Sequence, residues 1–425
     1  MKKKIIIIIS MIALIFLVVL GGYLIMNNND NNKNNIINND NSYNLKLIKT
    51  VNINKKENYL ISPYSIEIAL NLLKEGSSGN TLREIEDLIG NRKINNVAIK
   101  DRIGIANAAF IMNKYKNAVE EDFTKSIRTK YNSDVLYDDY KTPKVINDWV
   151  NEKTFGMIDK ILDDINKDFV LGLANALAID VEWANEFECT ATTSEKFTKD
   201  NGSTYDVEMM HASLKYDESK YLSSDDATGV IIPYKKYNDK GESVFKDGRR
   251  LEFVAILPHD NLHDYINNLT EDKLKELDNS AKEVDDTFEI RLALPRFRYD
   301  YELKDFKEVL MNLGIKDAFD KENADFTRIV PKSTRSDIIN LYVGEAIHKT
   351  HIDLNEKGTK AAAVTYFGMF SATAMPDKRE IVKIDFNRPF MYIIRDSETK
   401  EMLFFGTVYE PNKWTGSTCL EEVNK

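Results

Sequence analysis

The sequence of 425 residues predicts one large α+β domain behind a short N-terminal segment. Helical spacing of apolar residues dominates the first part of the chain, and β-branched and aromatic runs dominate the C-terminal third. Residues 43–414 contain no linker rich in Pro and Gly and no internal repeat. With 43% hydrophobic residues, twenty Phe and twenty Tyr, this span can bury a sizeable core, so a single domain is the simplest partition.

The N-terminal residues 1–26 are typical of a membrane anchor. Three lysines at positions 2–4 precede residues 5–26, which are uncharged and dominated by Ile, Leu, Val and Met. A membrane-crossing helix needs roughly 20 such residues, whereas a cleaved signal peptide has an apolar region of about 7–15 residues. We therefore expect a Lys-rich cytoplasmic end and an uncleaved transmembrane signal anchor, with the rest of the chain extracytoplasmic at the cell membrane. Secretion after cleavage near Gly21-Gly22 is the alternative.

The segments around the domain are short. Residues 27–42 are mostly Asn and predict a flexible tether. Residues 415–425 form a C-terminal tail. The formal net charge of −10 argues against a general affinity for nucleic acid. Two cysteines, Cys189 and Cys419, are too few for a disulfide framework, and whether they pair stays open.

Local patterns place several elements within the domain. Ser62-Pro63 precedes apolar residues at helical spacing, and Asn80 or Thr81 with Glu84 resembles a capping box. The patterns predict helices over residues 65–75, 81–89, 145–158 and 303–313. Alternating or β-branched runs predict strands over residues 169–181, 251–257, 288–294, 381–386, 390–394 and 402–409.

The motifs of common enzymes are absent from the sequence. None of the five histidines (211, 259, 263, 348 and 351) lies in an H-E-x-x-H motif, and no Cys/His cluster has zinc spacing. There is no G-x-S-x-G elbow, no P-loop lysine and no G-x-G-x-x-G. We therefore expect no enzymatic activity, no cofactor and no metal. A hydrolase of unknown type is the weakest alternative, because catalytic triads are defined by geometry and not by sequence order.

Residues 356–365, with the sequence EKGTKAAAVT, are the most unusual stretch. One interpretation is a short Ala-rich helix followed by a surface loop. The other is a strand held in reserve, with Thr359, Ala361, Ala363 and Thr365 on one face. Those four side chains are small enough to enter a buried slot without steric conflict.

This stretch resembles the hinge of the reactive-centre loop of inhibitory serpins, whose pattern is Glu-x-Gly-Thr-x-Ala-Ala-Ala-small-Thr. Further motifs follow in the family's order over residues 43–414. They are Asn58–Ile66, Leu72-Leu73, Gly76 through Gly79-Asn80-Thr81, Ile146-Asn147, Trp149-Val150, Thr154, Gly156, Ile158, Asn175-Ala176, Trp183, Met209-Met210, Leu294-Pro295-Arg296-Phe297, Ala324-Asp325-Phe326, Ala346-Ile347-His348-Lys349, Phe386-Asn387-Arg388-Pro389-Phe390, and Phe404-Phe405-Gly406 through Pro411. The chain thus resembles a prokaryote-like serpin of the inhibitory type.

The resemblance implies a fold and a mechanism. The serpin fold has three β-sheets, eight or nine helices and an exposed reactive-centre loop, here within residues 358–389. A target serine endopeptidase cleaves the loop, and the loop then inserts into the central sheet and traps the protease as a covalent 1:1 complex. We accordingly expect a monomeric suicide inhibitor. A non-inhibitory serpin-fold surface protein, such as a ligand carrier or a structural protein, is the alternative, because Phe367 and Met369 are bulky for an inserting strand.

The resemblance also assigns residues. The reactive bond falls fourteen residues after the hinge glycine, at Ala372–Thr373, with Met369, Phe370 and Met375 as alternatives. Ala372 suits elastase-like or subtilisin-like proteases, and a Met or Phe would favour chymotrypsin-like enzymes. The hinge comprises Glu356, Gly358, Thr359, Lys360, Ala361, Ala362, Ala363, Val364 and Thr365.

Six further residues match positions that support the central sheet in the family. Ser62, Ser65, Asn175 and His348 match a hydrogen-bonded shutter beneath this sheet. Trp183 matches the tryptophan of the breach, where insertion begins, and Arg296 matches the basic residue that pairs with Glu356.

The chain departs from the family pattern at two places. Asp180-Val181-Glu182 stands where Phe-Lys-Gly is usual, and residues 234–250 form a polar insertion. We interpret the insertion as an elongated surface loop, with a contact for a protease or cofactor as the alternative.

Overall fold

The computed structural model describes residues 42–92, 94–214, 218–331, 340–359 and 379–412. Within these ranges no helix has both the length and the apolarity to cross a membrane. The anchor predicted for residues 5–26, nearly all of the tether and the tail lie outside them.

The described ranges contain eight α-helices and three short 3₁₀ helices. The α-helices are α1 (Tyr43–Asn52), α2 (Pro63–Gly76), α3 (Gly79–Ile89), α4 (Glu121–Tyr131), α5 (Lys144–Lys153), α6 (Leu262–Asn267), α7 (Glu271–Asn279) and α8 (Phe306–Asn312).

Local backbone chemistry explains where α2 begins and where α5 ends, whereas α3 begins at Gly79, before the predicted capping box, with no side-chain capping hydrogen bond at Ser78. Ser62 accepts a hydrogen bond from Ser65 N at 3.1 Å and caps α2, with Pro63 in the first turn. The helix predicted over residues 145–158 is too long, because α5 ends at Lys153. Phe155 and Gly156 follow with φ of 53° and 73°, which a right-handed helix cannot accommodate. The helix predicted from residue 303 begins three residues later, at Phe306.

Twenty strands complete the described fold. They are β1 (Tyr59–Ile61), β2 (Ile103–Met112), β3 (Ser133–Asp138), β4 (Leu171–Ile179), β5 (Val181–Glu182), β6 (Thr193–Thr198), β7 (Thr204–Leu214), β8 (Lys220–Ser223), β9 (Ala227–Pro233), β10 (Lys236–Tyr237), β11 (Ser243–Val244), β12 (Leu251–Pro258), β13 (Lys282–Glu283), β14 (Phe288–Pro295), β15 (Phe297–Glu302), β16 (Lys349–Asn355), β17 (Gly358–Thr359), β18 (Glu380–Asp385), β19 (Phe390–Asp396) and β20 (Met402–Val408).

Eighteen of these strands form one large sheet, one smaller sheet and one sheet in two parts, and β10 and β11 form a separate two-stranded sheet. The large sheet has seven strands in the order β1-β20-β19-β12-β9-β8-β13, and the smaller has the order β18-β14-β7-β6. A three-stranded part, β3-β2-β4, and a four-stranded part, β15-β16-β17-β5, are joined by the chain, since β5 directly continues β4. We call these two parts the split sheet. The predicted strand over residues 169–181 is therefore interrupted at Asp180.

The seven-stranded sheet separates two apolar cores. Along β19, Met391 and Ile393 enter the core that includes α1, α2 and α8, whereas Phe390, Tyr392 and Ile394 enter the core beneath β14 and β15. Both faces of β19 are therefore buried, which explains its nearly continuous apolar sequence.

The insertion at residues 234–250 is more structured than a solvated loop. It contains the hairpin β10–β11, and Tyr234 and Tyr237 at its base are buried. Phe245 at its far end is 99% exposed. The interpretation as a surface loop therefore fits the far end and is wrong for the base, because the base packs into the domain.

Candidate functional site in the split sheet

Two of the hinge residues, Gly358 and Thr359, form a strand between β16 and β5. On one side, Gly358 pairs with Asn355 and Thr359 pairs with Leu354. On the other side, Gly358 pairs with Glu182 and Thr359 pairs with Val181. Residue 359 is therefore followed by chain that starts between β5 and the last two residues of β16. We call this end of the split sheet its mouth.

Space explains the glycine at the mouth. A Cβ on residue 358 would lie 2.2 Å from the carbonyl oxygen of Val181 and 2.8 Å from Cα of Glu182. Thr359 is buried, and its Oγ1 lies 2.6 Å from the hydroxyl of Tyr234. Tyr234 stacks on Trp183 with ring centroids 4.5 Å apart. Gly358 thus fits where a Cβ would clash with β5, and Thr359 fits where its short hydroxyl meets that of Tyr234.

The turn between β16 and β17 is held by β5 and the residues after it. Trp183 donates from its backbone N to Lys357 O and from Nε1 to Asn355 O, both at 2.9 Å. Phe187 N donates to Glu356 O at 2.9 Å. Trp183 is fully buried, so it fixes the hairpin turn by packing as well as by hydrogen bonding.

Beneath this turn lies a buried charge cluster. Arg296 Nη1 and Glu356 Oε1 are 3.2 Å apart, and each side chain is only 3% exposed. Thr192 Oγ1 also donates to Glu356 Oε1, at 2.7 Å, and Glu208 Oε2 lies 3.3 Å from Arg296 Nε. Both side chains are desolvated, so removing either one would leave the other buried without this counter-ion.

Below the mouth, the described strands leave two edges of the split sheet without a partner strand. β4 pairs with β2 along one edge, and β16 pairs with β15 along one edge. Among the described residues no strand pairs with the other edge of β4, and only the last two residues of β16 have a partner there, in β17. Two facing edges with unpaired backbone groups are a ready template for one more strand. A polar cavity of ≈ 970 Å³ adjoins this region, lined by β15, β16 and residues 156–160.

A chain of hydrogen bonds links the two sides of this gap. His348, immediately before β16, accepts from Ser62 N through Nε2 at 3.0 Å. Ser62 Oγ accepts from Ser65 N, and Ser65 Oγ contacts Asn175 Oδ1 on β4. Asn175 Nδ2 then donates to Asn107 Oδ1 on β2 at 2.8 Å. The structure thus brings together the four predicted shutter residues around the start of α2.

His348 is held in its neutral form. Burial lowers the pKa of its imidazole to about 4, since no carboxylate offsets the loss of solvation. Only a neutral ring can accept the hydrogen bond from Ser62 N, so the geometry and the pKa agree.

Part of the predicted site lies outside the described residues. This applies to hinge residues 360–365 and to Ala372, Thr373, Met369, Phe370 and Met375. Cys189 lies in a 3₁₀ helix and is disulfide-bonded, and Cys419 lies outside the described residues.

Sequence reasoning missed three residues of this site. Asn107 carries the shutter chain into β2, Thr192 binds Glu356, and Tyr234 binds Thr359. Asn107 interrupts an apolar strand, which is an available signal for a buried hydrogen-bonding role. Tyr234 opens the insertion, but its spacing gives no sign that it faces the hinge.

The comparisons with known proteins agree on the family. The family model described as "Serpin (serine protease inhibitor)" matches residues 38–411. A leukocyte elastase inhibitor of Xenopus tropicalis is 28% identical over 87% of this chain and 97% of its own length. A serpin-like protein of Thermococcus kodakarensis is 28% identical over 87% of this chain and 84% of its own.

A solved structure extends the match to the fold. The thermophilic serpin tengpin in its native state is 33% identical, with a TM-score of 0.71 over 87% of this chain and 93% of that one. The expected α+β serpin fold is thus confirmed, and the match over most of the chain shows that this protein belongs to the serpin family.

Proposed function

We propose that this protein inhibits serine endopeptidases by the suicide-substrate mechanism and is not itself an enzyme. The observation that carries the proposal is the strand Gly358–Thr359, which lies between β16 and β5 and leads toward the unpaired edges of β4 and β16. A loop anchored there has a continuous path into the sheet.

The expected reaction follows from that position. The protease cleaves a bond in the reactive loop, which follows residue 359, and is held as an acyl-enzyme on the new carboxyl end. Residues that follow Thr359 then add to the facing edges of β4 and β16, and each added residue gains ladder hydrogen bonds and burial. Insertion carries the attached protease along the sheet before the acyl bond is hydrolysed. The residues of this chain provide the cleaved loop and the strand edges that receive it, and none acts as an acid, base or nucleophile.

The proposed reactive bond is Ala372–Thr373, with Met369, Phe370 and Met375 as alternatives. A small residue before the bond favours elastase-like or subtilisin-like targets, and a Met or Phe favours chymotrypsin-like targets. One relative is named as a leukocyte elastase inhibitor, which supports the first choice.

The test uses residues 43–425 mixed in turn with elastase, subtilisin and chymotrypsin. The proposal predicts a 1:1 complex that survives denaturation, with mass spectrometry of the released C-terminal peptide giving the cleaved bond. An Ala372→Arg variant should lose the complex with elastase, whereas an exposed control, Lys144→Ala, should keep it. Cleavage by all three enzymes without any complex, together with no thermal stabilisation of the cleaved form, would contradict inhibition and favour the non-inhibitory alternative.

The proposed location is the outer side of the cell membrane, with residues 5–26 as anchor. The apolar length of this segment supports the proposal. Full-length protein should fractionate with membranes and resist alkaline carbonate extraction, whereas residues 43–425 should not. Recovery of full-length chain, still carrying its N-terminus, in the soluble fraction would contradict an anchor.

A further inference from the structure

The base of the hairpin at residues 234–250 lies against β5, on the side opposite the hinge strand. Lys235 N donates to Glu182 O at 2.8 Å, and Glu182 N donates to the hydroxyl of Tyr237 at 3.0 Å. Both backbone polar groups of Glu182 are therefore bound by the hairpin, while the residue itself is paired with Gly358 in the ladder. β5 is thus enclosed between the hinge strand and the hairpin base.

Side-chain charges strengthen the same contact. The carboxylate of Glu182 lies 2.5 Å from Lys235 Nζ and 3.5 Å from Arg102 Nη1. Arg102 in turn donates from Nε to Gly241 O at 3.2 Å, and its guanidinium lies 4.8 Å from the centroid of the Tyr237 ring. These pairs are only 20–28% exposed, so solvent screens them less than it screens a surface pair.

The hairpin also reaches the hinge directly. Tyr234, its first residue, contacts Thr359 through the two hydroxyls and stacks on Trp183. Thr359 therefore contacts the hairpin's first residue through its side chain, while its backbone pairs with β5 in the ladder. Among the described residues, every hydrogen bond and ion pair of Glu182 comes from the hairpin base or from Arg102.

We propose that the hairpin is a positioning element that keeps β5 one strand's width away from β16, so that the hinge can enter the sheet. This inference rests on the proposed function for its role in inhibition. Glu182 pairs with Gly358, and the hairpin binds its backbone N–H, its carbonyl and its carboxylate. A loop that only covered the surface would not make all three contacts. Lys235 and Tyr237 are the residues whose removal should close the mouth and release β17.

The first test is amide hydrogen exchange in the peptide that covers Glu356–Thr359. Lys235→Ala and Tyr237→Phe should each accelerate its exchange about tenfold. The first removes a charge-assisted hydrogen bond and the second leaves the backbone N–H of Glu182 without its acceptor, and either loss is worth roughly one power of ten in an opening equilibrium. Lys235→Arg should restore slow exchange. Lys144→Ala, which breaks the exposed pair with Asp148 on α5, should leave it unchanged.

The peptide that covers β12 reports general unfolding, because this strand lies at the centre of the seven-stranded sheet. Faster exchange at the hinge with unchanged exchange in β12 supports the inference. Equal acceleration in both peptides would show a purely structural role and overturn it, as would unchanged hinge exchange in both variants.

A second readout addresses inhibition itself. With a protease that forms the complex with the parent chain, the two variants should release a larger fraction of cleaved, uncomplexed inhibitor, because insertion is slowed relative to hydrolysis. A complex yield equal to that of the parent would contradict the role in insertion. If the parent chain forms no complex at all, the proposed function fails, while the exchange data still decide whether the hairpin positions the hinge.

Discussion

Acidification should weaken the shutter by protonating His348. The pKa of this histidine is about 4 in the folded protein, against about 6.5 for an unburied imidazole. A folded pKa below the unfolded one means that the histidine favours folding above pH 6.5, and that this contribution disappears as the pH falls through 4. The full difference of about 2.5 units corresponds to about 3 kcal/mol, of which about 2 kcal/mol is lost between pH 7 and pH 5.

The structural cause is specific to the ring nitrogen. Protonation turns Nε2 from an acceptor into a donor, so it faces Ser62 N–H as a second donor and places an unpaired charge in a buried site. The shutter chain should then open at its His348 end and loosen the contact between α2 and the segment before β16.

The assay compares the parent chain with His348→Gln, whose amide oxygen can still accept a hydrogen bond but does not titrate. Urea unfolding followed by tryptophan fluorescence at pH 7, 6 and 5 gives the apparent free energy of the first transition. The parent should lose about 2 kcal/mol more than the variant between pH 7 and pH 5. Equal losses in both proteins would show that His348 does not cause the acid sensitivity, since every other acid-sensitive group is common to them.

Three further changes test the mouth of the split sheet. Glu356→Lys places a second cation beside buried Arg296 and should cost about 3–5 kcal/mol, producing polymers on native gels after gentle heating; a persistent monomer would contradict this. Gly358→Val directs a side chain into the carbonyl of Val181 and should expel β17, which rapid exchange of the hinge amides would reveal, and slow exchange would exclude. Tyr234→Phe leaves the buried hydroxyl of Thr359 without its partner and should lower stability by about 1–3 kcal/mol in urea unfolding, whereas an unchanged midpoint would show that this contact is dispensable.

Local patterns predicted the elements that local chemistry determines. The Ser62 cap and the apolar spacing that follows define α2 to within two residues, and the runs of Ile, Val, Phe and Tyr define β12, β14, β18, β19 and β20. The end of α5 could not be predicted, since the apolar spacing continues past Lys153. Phe155 has a φ of 53°, which stops the helix, and a positive φ at a bulky residue comes from tertiary packing and not from the local sequence.

The site required information from distant parts of the chain. His348 and Ser62 are 286 positions apart, and Glu356 and Arg296 are 60 apart, so neither spacing nor periodicity can indicate that they meet. The resemblance to a family brought these residues together in advance. It could give no help with Lys235 and Tyr237, which lie in an insertion that departs from the family pattern, and their contacts with Glu182 emerge only from the folded structure.

The most direct test of loop insertion is amide hydrogen exchange in β4 and β16 before and after cleavage of the reactive loop. Insertion would place a new strand along the facing edges of Leu171–Ile179 and Lys349–Asn355. We expect both peptides to become more protected after cleavage, and the cleaved protein to melt at a markedly higher temperature than the intact one. Exchange in both strands that is unchanged by cleavage would show that the loop does not enter the sheet, and would contradict the proposed mechanism.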